Sequence, residues 1–354
     1  MHPKITAIPL MTAFLIVAAC TGTARAQDEK REHMYIVGSS TVYPFAKAVA
    51  DKLATSPLFH TPKIRSTGSG LGFQLFCAGT GQNHPDITNA SRRIKKSEFD
   101  QCQSNGVMNI VEIKIGYDGI VVAQSKNSIP LQLTRNDIFL ALAKNVPAPD
   151  GEEKLIPNPC KTWKDVNPSL PDQKIEVYGP PSTSGTRDAF AELAMESGCE
   201  SFAVIISMKK KDKKRYKEIC CTVREDGAYI EAGENDNLIV QQLETNPNAV
   251  GIFGFSFLDQ NSDKIQGALI DGIKPSYESI ESETYPLSRS LFFYVKKTHL
   301  GTVPDIDEYL AEFTSEKTWG PAGYLVGSGL VSLPEEERKK FRSFSQSLTE
   351  LDMH

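Results

Sequence analysis

The chain has 354 residues, room for about two domains at roughly 150 residues each. Hydrophobic residues make up 40% and charged residues 23%, which excludes a largely disordered chain and a miniprotein held only by disulfides. Lysine and arginine number 39 against 44 acids, a net charge of −5, and so the basic excess expected of a nucleic-acid-binding domain is missing.

The first 26 residues read as a signal peptide. Lys4 opens a short basic region, Ile8 to Ala19 is apolar over signal-peptide length, and Ala24-Arg25-Ala26 offers a small-x-small cleavage site. Val17-Ala18-Ala19-Cys20 offers the alternative of lipidation on Cys20. Either reading makes the protein exported. Cleavage after Ala26 removes Lys4 and Arg25 and no acid, so the charge becomes 37 − 44 = −7 over 328 residues.

The first strand is expected at Met34–Val37, ending in Gly38-Ser39-Ser40-Thr41. A helix follows from about Pro44 to Leu53 with Phe45, Val49 and Leu53 on one face. Lys63–Ser66 reads as a strand, Thr67–Gly72 as a glycine loop, and Phe73–Cys77 as the start of a helix. Asp86–Ala90 is a further strand, with Ser91-Arg92 as the turn after it. Val111–Val122 is a longer β run that Gly116-Tyr117-Asp118-Gly119 interrupts. Ile175–Tyr178 leads through Gly179–Gly185 into a helix over Thr186–Glu196, and Leu291–Val295 is a late strand before C-terminal helices. Strands alternating with helices give an α/β fold with a mainly parallel or mixed sheet.

Six cysteines remain after export: Cys77, Cys102, Cys160, Cys199, Cys220 and Cys221. An oxidising compartment favours disulfides, and six cysteines allow 15 pairings. The expectation is Cys77–Cys102, and Cys199 with Cys220 or Cys221. No CxxC or metal-ligand spacing occurs, so no metal or other cofactor is expected. The basic run Met208–Lys217 reads as a solvated surface of an acidic protein rather than a polyanion site.

Three loops share one design: Gly38–Thr41, Thr67–Gly70 and Ser182–Thr186 each follow a strand, are built from Ser, Thr and Gly, and open a helix. The first N–H groups of a helix lack intrahelical partners and carry a partial positive charge. Three such ends in one chain suggest convergence on a single anion, outside the carboxyl ends of the strands. Arg92, just past a strand end, and Arg187, directly after Ser184-Gly185-Thr186, are the candidate cations, since a guanidinium fork matches a tetrahedral anion. Enzyme motifs are missing. Phe73 stands where GxGxxG needs its last glycine, the P-loop-like Gly267–Lys274 has one residue too many, and neither GxSxG nor HExxH occurs. An exported phosphatase using Ser40, Ser69 or Ser184 would need a base, and His33, His60, His84 and His299 are scattered.

Val37–Phe45, Thr67–Gly70, Asp86–Ser91, Ser184–Arg187, Asn248–Phe253 and Tyr285–Arg289 occur in the order and spacing of the periplasmic phosphate-binding proteins of Pst-type ABC transporters, which this chain resembles from about Tyr35 to Val295. The resemblance implies a two-domain, type II Venus-flytrap fold with crossover strands and phosphate in an interdomain cleft. Residues 33–120 and 290–354 would form one discontinuous domain and 121–289 the other, with crossings near Asp118–Val122 and Arg289–Leu291. It implies a periplasmic, monomeric receptor without catalysis that delivers inorganic phosphate to a membrane permease. The matching binding positions are Ser40, Thr41, Val42, Ser69, Ser184, Gly185 and Thr186. Two positions depart from the family. Arg92 stands where its best-known members carry the aspartate that accepts phosphate's proton, and Pro180 stands where they carry an arginine. The proton acceptor that separates phosphate from sulfate is therefore expected elsewhere, at Asp118 or, second, Asp226. Other tetrahedral anions (sulfate, arsenate, phosphonate) are the alternative ligands.

Overall fold

A computed structural model describes residues 31–81, 83–148, 154–233 and 236–353. The signal-peptide and Cys20 readings lie outside them. One nine-stranded sheet organises the chain. Its strands are β1 (Tyr35–Gly38), β2 (Lys63–Ser66), β3 (Ile87–Ala90), β4 (Ile110–Ser125), β5 (Val177–Gly179), β6 (Tyr229–Glu231), β7 (Val250–Gly254), β8 (Ile265–Gly267) and β9 (Ser288–Lys296). The order is β2-β1-β3-β9-β4-β7-β5-β6, with β8 on the far part of β4. β1 runs parallel to β2 and β3, and β5 parallel to β6 and β7, while β9 is antiparallel to β3 and β4 and β7 is antiparallel to β4.

β4 explains this arrangement. Fifteen of its 16 residues are buried, as expected for a strand covered on both faces. Its first part, up to Gly119, pairs with β9; from Ile120 onward it pairs with β7, and at its end with β8. One strand thus belongs to two sheet halves and changes partner at Gly119–Ile120. The strand runs through Gly116–Gly119 without the expected interruption, and the irregularity is a bulge in β4 just before it: consecutive Leu291 and Phe292 of β9 pair with Gly116 and Lys114, leaving Ile115 without a partner. Backbone pairing there outweighs the turn preference of the Gly-Tyr-Asp-Gly sequence.

The helices include α1 (Tyr43–Leu53), α2 (Ser69–Phe76), α3 (Lys96–Ser104), α4 (Gly185–Phe190), α5 (Ala203–Lys211) and α6 (Lys213–Cys221). α2 begins at Ser69, four residues before the expected start, so the glycine loop is largely its first turn. The helix expected over Thr186–Glu196 is instead α4 followed by a π-helical turn, Ala191–Glu196. Gly38 anchors the first loop. Its φ is +122°, and a Cβ there would lie 2.1 Å from the Asn89 carbonyl oxygen, so only glycine fits.

Cys77–Cys102 and Cys199–Cys220 are bonded, with sequence separations of 25 and 21 residues, while Cys160 and Cys221 are free thiols. Loops of that length stabilise the fold by roughly 3 kcal/mol each on a chain-entropy argument. The basic run lies on α5 and α6, where Lys209 pairs with Glu200 and Lys217 with Glu196. Among the described residues, no helix is long and apolar enough to cross a membrane, and no cluster of three His, Cys, Asp or Glu could hold a metal ion.

Candidate functional site

A cavity of about 840 Å³ opens where β4 changes partner. One wall carries the first two loops and the turn after β3: Ser39, Ser40, Thr41, Ser69, Ser91 and Arg92. The other wall carries Asp188, Ala191, Glu192 and Leu193, with Lys217 and Cys221 from α6. Arg289 of β9 stands between them.

The hydroxyl wall is tied together internally. Ser69 Oγ accepts the Ser91 N–H at 3.0 Å and lies 3.1 Å from Ser91 Oγ, which joins the loop after β2 to the loop after β3. Ser39 Oγ accepts the Val42 N–H at 3.4 Å, at the start of α1. Thr41 Oγ1 accepts a hydrogen bond from Arg289 Nη2 at 2.6 Å and donates to the Gly185 carbonyl at 3.5 Å.

That last contact brings the first and third loops together. A Cβ on Gly185 would lie 2.7 Å from the Ser40 carbonyl oxygen and 3.1 Å from Thr41 Cα, so the absence of a side chain lets the start of α4 meet the start of α1. Ser184 caps α4, its Oγ accepting the Thr186 N–H at 3.2 Å. Ser40, Thr41, Ser69 and Arg92 therefore face the cavity. Val42 is fully buried beneath it, and Ser184, Gly185 and Thr186 flank it without lining it.

The charged residues divide by role. Arg92 lines the cavity, but its fork is held by Glu98 through a bidentate pair of 2.7 and 2.8 Å, and its guanidinium lies over the Phe73 ring. Burial pushes Glu98 up, yet the Arg92 bonds, the Lys95 N–H and the charges of Arg92 and Lys95 together outweigh it and keep the carboxyl below the usual range. Arg187 lies outside the cavity, with its guanidinium 4.1 Å from the Tyr229 ring centroid. The Tyr229 hydroxyl donates to the Pro180 carbonyl at 2.7 Å, which sets the Arg187–Tyr229 pair beside Pro180. Asp226 is paired with Arg224 and does not line the cavity.

Arg289 is the residue that sequence reasoning left out of the site, although it closes the Tyr285–Arg289 motif. It sits directly opposite Asp118 in the β4–β9 register. Its side chain is 11% exposed, and its donors reach three groups: Nη2 to Thr41, Nη1 to Glu192 Oε2 at 2.7 Å, and Nε to Asp118 Oδ2 at 3.4 Å. Asp118 does not line the cavity and is buried behind this guanidinium. Burial pushes its carboxyl above the usual range, against the pull of Arg289. The one signal that could have found Arg289 is pairing: an arginine and an aspartate at matching positions of two adjacent strands.

The chain matches a family model, the PBP superfamily domain, over residues 23–317. It belongs to that superfamily. This PBP-superfamily chain is 33% identical over 297 residues to the phosphate-binding protein PstS of Staphylococcus haemolyticus, covering 82% of this chain and 79% of the relative. It is 30% identical over 336 residues to protein SphX of Synechocystis, covering 93% and 85% of the two chains. A solved structure from Planctomyces limnophilus, described as a possible phosphate binding protein, superposes with a TM-score of 0.68 at 24% identity, covering 89% of this chain and 98% of that one. The mixed α/β fold of the superfamily is thus the fold of this chain.

Proposed function

We propose that this protein is an exported, non-catalytic receptor that captures inorganic phosphate in the cleft around Arg289 and delivers it to the permease of an ABC transporter. The observation that carries this reading is the Arg289–Thr41 junction. A nearly buried guanidinium donates to a hydroxyl at a helix start, on a wall made of further hydroxyls and helix N-termini. Such a wall replaces the hydration of a compact anion with fixed donors, which a dry cleft strengthens. The PstS relative supports phosphate as the anion.

In this reading Ser40, Thr41, Ser69 and the Val42 amide form the first half of the seat, and Ser184, Gly185 and Thr186 close on it from the other side. Residues 33–120 and 290–354 form one domain and 121–289 the other, with closure bending β4 at Gly119–Ile120 and β9 near Arg289. The protein works as a monomer on the outer side of the cytoplasmic membrane, by way of the signal peptide, with lipidation at Cys20 as the alternative anchor. Arg92 contributes to the positive field of the wall while Glu98 holds its fork. Asp118 acts through Arg289, positioning the guanidinium, rather than by touching the anion.

Calorimetric titration of the chain from Gln27 to His354, stripped of anion by unfolding and refolding, tests the function. One-to-one phosphate binding with sulfate far weaker is expected. Binding of neither anion overturns the receptor reading, and equal binding of both removes the phosphate selectivity. Asp118→Asn in the same titration tests the positioning role: phosphate and sulfate affinities fall by similar factors, whereas a loss confined to phosphate makes Asp118 the reader of phosphate's proton.

A further inference from the structure

An anion receptor has reason to keep carboxylates away from its seat, yet the wall facing the hydroxyls carries two, Asp188 and Glu192, and Glu196 continues the row beyond the cavity lining. Asp188, Glu192 and Glu196 follow one another at intervals of four residues along α4 and the π-helical turn. The wider π turn holds successive members of such a row on one side, and π turns of this kind concentrate at functional sites. Glu192 and Glu196 engage cavity-lining cations: Glu192 bonds Arg289 Nη1 at 2.7 Å, and Glu196 bonds Lys217 Nζ at 2.5 Å.

The two ends of the Glu192 contact differ. The Arg289 side chain is 11% exposed and fixed by Thr41 and Asp118, while the Glu192 side chain is 53% exposed. Only Oε2 of Glu192 bonds the fork, without the bidentate geometry that makes arginine–carboxylate pairs strong. The fixed partner is the cation, and the movable one is the carboxylate.

We propose that Glu192 is a tethered competitor: in the empty cleft its carboxylate occupies the Nη1 donor of Arg289 that the incoming anion takes. The inference rests on the receptor reading above. A tethered carboxylate is present at high local concentration, so it outcompetes chloride and small carboxylic acids from solution. A tetrahedral dianion brings more charge and more acceptor oxygens, and displaces it. Glu192 thereby raises the threshold for filling the cleft and sharpens selection against monoanions. It also makes one bridge between the cavity walls in the unfilled state, which the ligand exchanges for its own.

The test uses the stripped full-length mature chain, inorganic phosphate and calorimetry. Glu192→Gln and Glu192→Ala each remove the carboxylate from an exposed position, and both are expected to bind phosphate about two- to fivefold more tightly, the size of a half-exposed ion pair that no longer has to be broken. Acetate, measured by its competition with phosphate, gains more than phosphate does. Glu196→Gln, which frees Lys217 instead, gives a smaller gain. Unchanged or weaker phosphate binding by both Glu192 variants overturns the proposal, and so does a gain in Glu192→Gln alone, which would mean the new amide bonds the anion. Phosphate binding by the unaltered chain separates the two readings: where it is present and the variants gain nothing, only the competitor fails; where no variant and no unaltered chain binds, the receptor reading fails.

Discussion

One wall of the cleft is made of hydroxyls and helix starts, and the facing wall of carboxylates and a lysine. The first is tied by internal hydrogen bonds, Ser69 to Ser91 and Ser39 to Val42. The second holds its charges in ion pairs with partly exposed carboxylates, Glu192 to Arg289 and Glu196 to Lys217. The difference separates what is preorganised from what has to be exchanged. Fixed neutral donors cost little to reuse when an anion arrives, whereas paired charges must release a partner first. Arg289 belongs to both walls, and so its replacement disturbs the cleft most.

Arg289→Ala is expected to lower phosphate affinity roughly 100-fold or more, since a charge-assisted donor in a nearly dry site is lost and Asp118 is left buried without its cation. Arg289→Lys recovers little of it, because one ammonium cannot reach Thr41 and the anion with the spread of a planar fork. Retention of affinity in Arg289→Ala, measured by calorimetry, would move the seat away from the junction. Gly185→Ala tests whether the walls must meet: its Cβ would press on the Ser40 carbonyl at 2.7 Å, and affinity is expected to fall about tenfold as the approach of α4 is blocked, while the melting temperature changes little. Thr41→Val keeps the shape and removes the hydroxyl that links Arg289 to α1, with an expected loss of about five- to tenfold, the cost of one hydrogen bond.

The smallest effect on binding is expected at Lys296, on the same strand as Arg289 but far from the cavity. Its Nζ donates to the Gly79 carbonyl at 2.5 Å, and burial pulls the ammonium down to about 7, with Asp86 resisting and Arg31 assisting. An unfolded lysine titrates near 10.5, so between about pH 7 and 10 the unfolded chain holds a proton that the folded chain has released. This residue therefore makes stability rise with pH across that window. Thermal melts should lose this rise in Lys296→Met, with phosphate affinity at pH 7 unchanged; a change in affinity would tie this buried cluster to the cleft.

The hydroxyl wall was legible in the sequence, and the carboxylate wall was not. Gly38–Thr41 and Thr67–Gly70 announce themselves because local turn and cap chemistry is written in consecutive residues, and the strands around them follow from short apolar runs. β1, β2 and β3 fall within a residue or so of their expected bounds. Local preference misled where tertiary pairing dominates: Gly116–Gly119 looks like a turn but is held in β4 by β9, and the lone Phe73–Cys77 run understated a helix that begins at Ser69. Cys77–Cys102 was expected from its loop, while the choice of Cys220 over its neighbour Cys221 depends on which side of α6 faces Cys199. Arg289 and Glu192 are 97 residues apart in sequence, and no motif couples them. Their meeting is a product of the β4–β9 crossing and of the π turn, neither of which has a sequence signature of its own.

The most direct test of the account is a crystal structure of the mature protein grown with phosphate. A tetrahedral anion bonded to Arg289 and Thr41 against the starts of α1, α2 and α4 is expected, with Glu192 turned away from the guanidinium. An anion seated instead beside Arg187 and Tyr229, or a filled cleft in which Arg289 still bonds Glu192 and not the ligand, would contradict it.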